Sequence, residues 1–506
     1  MVNNRRRAKE TNGGEVPFVN GRSNGSLGDT KKSATMTMNR NGAVFVSGRR
    51  SVILMFLVAL LFCMAYQIYH RSNIPTAPPR SMIIRGKKGY YERVPDEFRK
   101  TFHIPMGTKF RRTVTRAFRN RGYRKSDDPE TAHFLIDKGE IASRYKHLKP
   151  WQRYNNIPGY EAWESKEGFI EGFDAYRMNN PTKKLPFIPE TYRLTTPTGR
   201  NAFKKRLFEQ GGIQRPWVLK NPEANNGKGV FMLGANSEEL RTVFDRVERE
   251  KEENDYIIQE YICNELTWWK NKKFDLRFYW AVASTDPLIV LYHDGYVRVG
   301  NAVYDETEFS KREQHLTTHT FLADEEKGTI DELKELLHFY YRKNARRLKR
   351  RIKIDPFEHV RNQFKEIIGE TVAAFKDVTF GNDMEHTYKA DSGFSLYGAD
   401  FVLDNDLDVW YIEAQDAPGL EEEFDFRVEM HNDLWRHLID TVEEIQTKLE
   451  KDPTASVLPL QKAGKWELVY AGSGVDQWQF QYLGYERGEN KPGCMLPSKL
   501  RRSKLS

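Results

Sequence analysis

The sequence predicts an α+β fold, in which antiparallel strand pairs and helices occupy separate blocks of the chain. Two strand pairs flank short polar turns and are typical of hairpins, namely 288–292 with 296–300 around Gly295, and 401–404 with 409–414. Further strands are predicted at 217–220, 256–262 and 278–284, and helices at 237–254, 330–352 and 431–451. Such blocks favour an α+β domain over a doubly wound parallel sheet.

Composition indicates a globular protein of two or three packed domains. The chain has 506 residues, 39% hydrophobic and 30% charged. Its formal charge of +9 raises the question of a nucleic-acid partner, but Lys and Arg are scattered among 71 acidic residues. Residues 1–50 alone carry ten cations against three acids, so the rest is close to neutral. We therefore expect no nucleic-acid partner.

Three cysteines exclude a disulfide scaffold and a cysteine zinc site. Cys63 lies in an apolar run, which leaves at most Cys263 and Cys494 to pair. The redox compartment stays open on this evidence.

An apolar run near the N-terminus predicts a membrane anchor. Residues 52–66 carry no charge, and residues 67–69 extend the run to about the length of a helix that crosses a thin bilayer. A cleaved signal peptide would be shorter and nearer the terminus, and a core helix would show polar residues at helical spacing. We predict a disordered basic tail at 1–50, a transmembrane signal-anchor at 51–69 and a stem at 70–88.

The basic tail favours a type II orientation in the endoplasmic reticulum or Golgi, with the folded region in the lumen. Against this, no usable Asn-x-Ser/Thr acceptor follows the anchor, since Pro181 blocks the one at Asn180. The side of the membrane therefore stays open.

Lys220 ends a predicted strand and is followed by a polar loop with Gly227 and Gly229. Such a loop lets backbone N–H groups approach phosphates while the lysine neutralises their charge. A surface turn has the same composition, so this segment alone is a weak indication.

Asp400, Glu413 and Gln415 fall at adjacent strand ends of the predicted 401–414 hairpin. Glu413 and Gln415 are two residues apart and so face the same side of one strand. Carboxylate and amide oxygens are ligands that Mg²⁺ accepts together with substrate phosphates. Polar residues facing solvent on an edge strand would give the same pattern.

Arg277 and Arg298 lie on neighbouring predicted strands. Two guanidinium groups aimed from there stabilise a transferring phosphoryl group better than lysines, because each fork binds two oxygens. A salt-bridged sheet face is the alternative.

Seven segments in order, within residues 110 to 430, resemble the tubulin-tyrosine ligase-like family. They are RYNNIPGYEAWESKEGF (153–169), FIPETYRL (187–194), Lys220 with GKGV (227–230), IIQEYI (257–262), KFDLRFY (273–279), HLTTHTF (315–321) and YGADFVLDNDLDVWYIEAQDAPGL (397–420). The resemblance implies an ATP-grasp fold, with ATP between two α+β lobes. It also implies a Mg-ATP-dependent ligase that activates a protein carboxylate as an acyl phosphate, which the amine of a free amino acid then attacks.

The resemblance also implies domain bounds and residue roles. We expect an N-terminal domain at 89–158, a central lobe at 159–262, a C-terminal lobe at 263–450 and an extension at 451–506 with an aromatic hairpin. Phosphates would be met by Lys166 and Lys220, and adenine by the strand that carries Gln259, Tyr261 and Ile262. The nucleotide would be positioned by Lys273, Asp275 and Thr317, the transition state by Arg277 and Arg298, and Mg²⁺ by Asp400, Glu413 and Gln415.

Three departures from the family pattern put a normal catalytic rate in doubt more than ATP binding. Gln415 and Thr318 stand where the family usually has Asn, and Glu260 replaces a frequent lysine beside adenine. A non-catalytic nucleotide-binding scaffold is therefore one alternative. A second is a Golgi-type glycosyltransferase whose Asp404-Asn405-Asp406 would bind Mn²⁺ and a nucleotide sugar, although that tripeptide also fits a hairpin turn. The resemblance names neither the amino acid nor the acceptor, and tubulin is a candidate only if the domain is cytosolic.

Overall fold

The structure is a computed structural model, and every residue that it describes belongs to one compact unit, Ile68–Ser506. The described residues are 78, 82–85, 92–108, 110–136, 147–157, 159–224, 227–249, 256–317, 326–379, 392–416, 418–420, 424–473, 476–485 and 487. The predicted tail, the signal-anchor at 51–69 and most of the stem lie outside these ranges. Within them, no helix combines the length and the apolar character that membrane crossing requires.

A parallel sheet opens the described chain. Its strands are β1 (Thr101–His103), β2 (Arg124–Lys125), β3 (Phe134–Leu135) and β4 (Arg153–Tyr154), hydrogen-bonded in the order β2-β1-β3-β4. Helix α1 (Arg111–Asn120) buries Val114, Ala117 and Phe118 in the same core cluster as Phe102 of β1 and Phe134 of β3.

A second, antiparallel sheet carries the predicted phosphate lysine. Its strands are β5 (Thr191–Arg193), β6 (Trp217–Lys220), β7 (Val230–Leu233) and β8 (Ile257–Glu260), in the order β5-β8-β6-β7. The helices of this region are α2 (Glu161–Glu164), α3 (Lys166–Asn179), α4 (Pro197–Phe208) and α5 (Glu238–Arg249). Phe203 of α4 and Phe244 of α5 pack with Trp217 of β6, which anchors the strand that ends at Lys220.

The large sheet forms the centre of the molecule, in the order β13-β12-β9-β10-β14-β15 with β11 against β10. Its strands are β9 (Lys272–Thr285), β10 (Leu288–Val303), β11 (Glu326–Gly328), β12 (Ser395–Leu403), β13 (Val409–Gln415), β14 (Glu467–Ser473) and β15 (Asp476–Gln479). The remaining helices are α6 (Ile330–Lys343), α7 (Ala345–Arg351), α8 (Pro356–Thr379) and α9 (Asp425–Lys451).

Alternation along β9 divides the core between the two faces of this sheet. Phe278 and Trp280 join the cluster that includes α3 and α8, whereas Tyr279 and Ala281 join the cluster that includes α1 and α9. The period of two is the one expected for a strand that is buried on both faces. The mixed α/β fold is consistent with the predicted ATP-grasp class.

One predicted hairpin is wrong. Residues 288–303 form the single strand β10, which pairs antiparallel with β9, and the register shifts between His293 and Tyr296. The segment that resembled a turn is a bulge, in which a Cβ at Gly295 would lie 1.7 Å from the carbonyl oxygen of Arg277. Glycine is required by this close approach of two backbones rather than by a chain reversal.

The hairpin of β12 and β13 and the C-terminal hairpin of β14 and β15 are confirmed. The predicted helix at 330–352 is divided into α6 and α7 at Asn344, and the one predicted at 431–451 begins earlier, at Asp425. Helix α8 was not predicted, although its 24 residues form much of one core cluster.

Candidate active site

Five charged side chains that the sequence singles out occupy neighbouring positions on four adjacent strands. Asp275 of β9 pairs with Arg298 of β10, and Arg277 of β9 pairs with Asp400 of β12. Asp400 is in turn opposite Glu413 of β13. Cross-strand partners point to the same face of a sheet, so the register brings these residues together although they are far apart in sequence.

Asp400 binds both arginines. Arg277 donates from Nε to Oδ1 of Asp400 (2.5 Å) and from Nη2 to Oδ2 (3.0 Å), and Nη2 of Arg298 lies 2.8 Å from the same Oδ2. Burial by itself would raise the pKa of Asp400, but the two guanidinium groups outweigh it and hold that pKa well below its usual range. The carboxylate is therefore ionised and keeps both arginines oriented.

Space for this arrangement comes from a glycine. A Cβ added at Gly398 would lie 3.2 Å from Cδ of Arg277 and 2.9 Å from Cβ of Pro418. The side chain of Arg277 can therefore lie across β12 because that strand carries no side chain at this position.

Asp275 links Arg298 to Thr317. Arg298 donates from Nε to Oδ1 of Asp275 (2.6 Å), and the hydroxyl of Thr317 donates to Oδ2. Thr317 is buried. The neighbouring Thr318, one of the departures from the family pattern, lies outside the described residues.

Glu413 and Gln415 contact each other directly, with Nε2 of Gln415 donating to Oε1 of Glu413 (2.9 Å). A half-turn of the amide would bring its carbonyl oxygen to the same place. Among the described residues, no three His, Cys, Asp or Glu side chains are grouped to hold a metal by themselves. Two carboxylates and one amide nevertheless fit Mg²⁺, which commonly keeps several waters and takes further oxygens from substrate phosphates.

A cleft is lined by residues of the sheet that carries Lys220 and of the large sheet. Its polar lining is Glu164, Lys166, Lys220, Gln259 and Glu413, and its apolar lining is Phe169, Ile170, Ile257, Ile412 and Ala414. Two lysines, one metal-type carboxylate and an apolar wall are what a nucleotide with Mg²⁺ needs, so the residues present fit that group.

Lys220 is held by Gln259. Its Nζ donates to Oε1 of Gln259 (2.7 Å), and the amide of Gln259 donates to the hydroxyl of Thr191 (3.0 Å). Burial lowers the pKa of Lys220 to about 8, with Glu413 opposing the shift and Lys166 adding to it. Gln259 thus fixes the position of the lysine, and its predicted role beside adenine stays a prediction.

Lys166 and the glycine loop also contact each other. Ser165 caps α3 by accepting from the N–H of Gly168, which places Lys166 in the first turn of the helix. Its Nζ donates to the carbonyl oxygens of Pro222 (3.1 Å) and Ala224 (3.3 Å). The loop that follows Lys220 is therefore folded against the second predicted phosphate lysine.

The loop itself requires glycine at two positions. Gly227 has φ +70°, and a Cβ at Gly229 would lie 2.6 Å from the Cβ of Ala224. Arg312, which the sequence analysis missed, donates from Nη2 to the carbonyl oxygen of Gly227 (2.7 Å).

Lys273 and Tyr261 belong to a buried group beside the end of β8. The ammonium of Lys273 donates to both carboxylate oxygens of Glu265 and lies 5.5 Å from the ring centroid of Tyr261. The hydroxyl of Tyr261 is bonded to Tyr304 (3.1 Å) and to Nδ1 of His315 (2.8 Å). Tyr261 thus holds the end of β8 in place through these buried hydrogen bonds.

Glu265, the buried partner of Lys273, was also missed. Nothing in its sequence context marks it, because the two residues meet only through the turn that precedes β9. Ile262 is partly buried in the same segment.

Asp404 and Asp406 have structural partners in the turn between β12 and β13. Oδ1 of Asp404 accepts from the N–H groups of Asp406 (2.8 Å) and Asp408 (3.1 Å), and Asp406 is paired with Arg347 and Arg351. These contacts are those of a hairpin turn, which leaves the alternative of a nucleotide-sugar site without support in the geometry.

Comparison with known proteins agrees with the motifs. The model of the Tubulin-tyrosine ligase family matches residues 143–453. Protein polyglycylase TTLL10 of Rattus norvegicus is 22% identical over 463 residues, which cover 84% of this chain and 63% of that protein. Probable tubulin polyglutamylase TTLL2 of Homo sapiens is 24% identical over 308 residues, or 59% of this chain and 48% of that protein.

A third relative carries a different description. Inactive polyglycylase TTLL10 of Homo sapiens is 26% identical over 306 residues, or 56% of this chain and 42% of that protein. The chain thus spans less than two thirds of the length of each of these relatives. Because the family match covers more than half of the 506 residues, the predicted resemblance is confirmed, and the chain belongs to the tubulin-tyrosine ligase family.

Proposed function

We propose that this protein is a Mg-ATP-dependent ligase that joins a free amino acid to a protein carboxylate through an acyl phosphate. The observation that carries the proposal is the shared position of Lys166, Lys220 and Glu413 on one cleft, with Glu413 also opposite the Asp400 that binds two arginines. The groups that would neutralise phosphate, bind the metal ion and stabilise the transferring phosphoryl group therefore lie in one place.

The reaction has two balanced steps. An oxygen of the acceptor carboxylate takes the γ-phosphoryl group of ATP, and ADP leaves. The amino nitrogen then bonds to the acyl carbon, the C–O bond to phosphate breaks, and the nitrogen loses a proton as the amide forms.

The chain's own residues serve these steps through charge and position. Lys166 and Lys220 neutralise phosphate oxygens at the cleft, and Arg277 and Arg298 stabilise the charge that develops on the phosphoryl group. Asp400, Glu413 and Gln415 would hold Mg²⁺, which supplies further charge neutralisation when it is bound. Asp275 and Asp400 keep the guanidinium groups in place and lower the entropic cost of orienting them.

The test is amino-acid-dependent release of ADP by the purified chain, together with a mass increase on a protein acceptor. Each of glycine, glutamate and tyrosine is offered with Mg-ATP. Glu413→Gln should abolish turnover, and Glu429→Gln, which removes an exposed carboxylate on α9, is the matched control. Turnover that survives Glu413→Gln would overturn the assignment of that residue.

The alternative is a nucleotide-binding protein without ligase activity. It is motivated by Gln415 in place of the family's usual Asn and by the relative that is described as inactive. Binding of ATP without ADP release for any amino acid and any acceptor would favour this alternative over the ligase.

The names of the relatives point to glycine or glutamate as the amino acid added, and to tubulin as one acceptor.

We propose a single-pass type II membrane protein of the endoplasmic reticulum or Golgi, an orientation that excludes tubulin. Protease protection of a C-terminal tag in intact microsomes tests this. Degradation without detergent would place the domain in the cytosol and make tubulin the leading acceptor.

A further inference from the structure

Positive charge is concentrated at one place in the fold, although it looked scattered in the sequence. Residues 342–353, at the end of α6 and through α7, read RKNARRLKRRIK, with eight cations and no acid. Arg347 and Arg351 use their charge on Asp406 and Asp408 in the β12–β13 turn. By contrast, Arg342, Lys343 and Arg346 are exposed, and within the described ranges none of them is paired with a carboxylate.

Two exposed aromatic rings lie beside these cations. Phe339 is 47% exposed and Trp269 is 38% exposed, and their ring centroids are 5.5 Å apart. Phe339 lies one turn before Lys343 on α6, whereas Trp269 belongs to the turn that leads into β9. Glu335, one turn before Phe339, marks where the basic surface ends.

The turn that presents Trp269 is strained. Lys270 and Asn271 are consecutive non-glycine residues with φ of +61° and +56°. They are held there by bonds between the backbones of Trp268 and Lys272 (2.8 Å) and from the amide of Asn271 to the carbonyl of Tyr304 (2.9 Å). Such strain is maintained by its surroundings and clusters at functional positions. Here it leaves Trp269 and Lys270 exposed.

We propose that Trp269, Lys270, Phe339, Arg342, Lys343 and Arg346 form a docking face for an acidic, aromatic-containing segment of the protein acceptor. Unpaired cations attract Glu and Asp side chains, and two exposed rings give an apolar contact that a purely electrostatic surface lacks. Because the face combines cations with aromatic rings, we expect it to bind a polypeptide that carries both acidic and aromatic side chains.

The role of this face rests on the proposed function, in which the bound acceptor must also reach the phosphoryl-transfer site. Lys270 lies two residues before the start of β9, which carries Lys273, Asp275 and Arg277. At about 3.3 Å per residue, the five strand steps from Lys272 to Arg277 span roughly 17 Å. An extended acceptor segment of similar length would reach from the docking face to the phosphoryl-transfer site.

Direct binding of a labelled peptide tests the proposal without requiring catalysis. The probe is a Glu-rich peptide with one Phe, and binding to the purified full chain is followed by fluorescence anisotropy. The double variant Lys343→Glu/Arg346→Glu should weaken binding about tenfold. The matched control, Lys349→Glu/Lys353→Glu, makes the same change in net charge at exposed lysines outside the face and should cost less than about twofold.

A second variant, Trp269→Ser/Phe339→Ser, keeps the net charge and should also weaken binding of the peptide, roughly fivefold. Equal losses in both charge-reversal variants would mean diffuse electrostatics and would overturn the docking face. Binding of phosphatidylserine vesicles in preference to the peptide would overturn it in favour of a membrane surface. ATP affinity, measured in the same variants, should not change, so failure of docking and failure of the ligase assignment are separate results.

Discussion

Arg277 and Asp400 stand opposite each other on β9 and β12 and are joined by two hydrogen bonds, Nε to Oδ1 at 2.5 Å and Nη2 to Oδ2 at 3.0 Å. With Arg298 and Asp275 they form two acids and two cations whose charges balance. Glu413, opposite Asp400, adds a further negative charge next to this balanced group. A divalent cation with nucleotide phosphates would complement it, which is the reason that the group is read as a site and not only as a salt-bridged sheet.

Asp400→Asn should destabilise the protein as well as inactivate it. The substitution leaves Arg277 without a carboxylate partner among the described residues and leaves Arg298 with Asp275 alone. Breaking a buried pair in this way costs about 3 kcal/mol. Urea unfolding followed by tryptophan fluorescence measures the change. Asp127→Asn, at a fully exposed residue, is the control and should leave stability nearly unchanged. Equal stability of the two variants would show that the arginines do not depend on Asp400.

Nucleotide affinity should fall as the pH rises through 8. Burial lowers the pKa of Lys220 to about 8, so the free protein loses this charge between pH 7 and 9, while the phosphates stay ionised. The loss in ATP affinity should be about tenfold over that range. Lys220→Arg keeps its charge at pH 9 and should remove the pH dependence, whatever its absolute affinity. Isothermal titration of ATP at several pH values measures the affinity of both proteins. A parallel decline in ATP affinity would show that Lys220 is not the group responsible for the pH dependence.

Gly229→Ala should weaken ATP binding by displacing the glycine loop. The new Cβ would lie 2.6 Å from the Cβ of Ala224 and 2.7 Å from that of Asn221, which is closer than atoms in contact. We expect a loss of about tenfold, since the loop backbone can no longer approach phosphate. Gly234→Ala, whose Cβ would lie 3.4 Å from the Phe309 ring and so at an ordinary contact distance, is the matched control. If both substitutions have the same effect, the space at Gly229 is not what sets the loop conformation.

Gln415 provides a test of the metal site. Gln415→Leu removes both the bond to Glu413 and the amide oxygen, so the Mg²⁺ concentration for half-maximal ADP release should rise about tenfold. Gln415→Asn keeps an amide and should recover part of the effect. A magnesium titration that is unchanged in the Leu variant would remove Gln415 from the metal ligands and leave Asp400 and Glu413.

Sequence reasoning succeeded where a residue's role is local and failed where it depends on pairing between distant strands. The β12–β13 hairpin was predicted because alternation and a polar turn are encoded within a few residues, and it brought Asp400, Glu413 and Gln415 together. At Gly295 the same local signals were misleading, because glycine is required there by the close approach of the Arg277 carbonyl on the neighbouring strand.

The missed residues have the same explanation. Glu265 meets Lys273 and Arg312 meets Gly227 only in the folded chain, and neither lies in a motif that marks it. Helix α8 was missed because it is buried along much of its length, so its residues show no clear polar face from which a helical period could be read.

Glu366 of α8 should make stability fall as the pH rises from about 4.5 to 7. Burial raises its pKa to about 7, with the N–H of Tyr482 opposing the shift and Glu370 adding to it. Over that window the folded protein binds more protons than the unfolded chain, so stability present below pH 4.5 is lost by pH 7. Glu366→Gln keeps the acceptor for Tyr482 and removes the charge. It should raise the free energy of unfolding by about 1–2 kcal/mol at pH 8 and change it little at pH 5. Denaturation at both pH values checks this, with Asp377→Asn, at an exposed residue of the same helix, as the control. A gain that is equal at both pH values would show that packing, and not the buried charge, accounts for the effect.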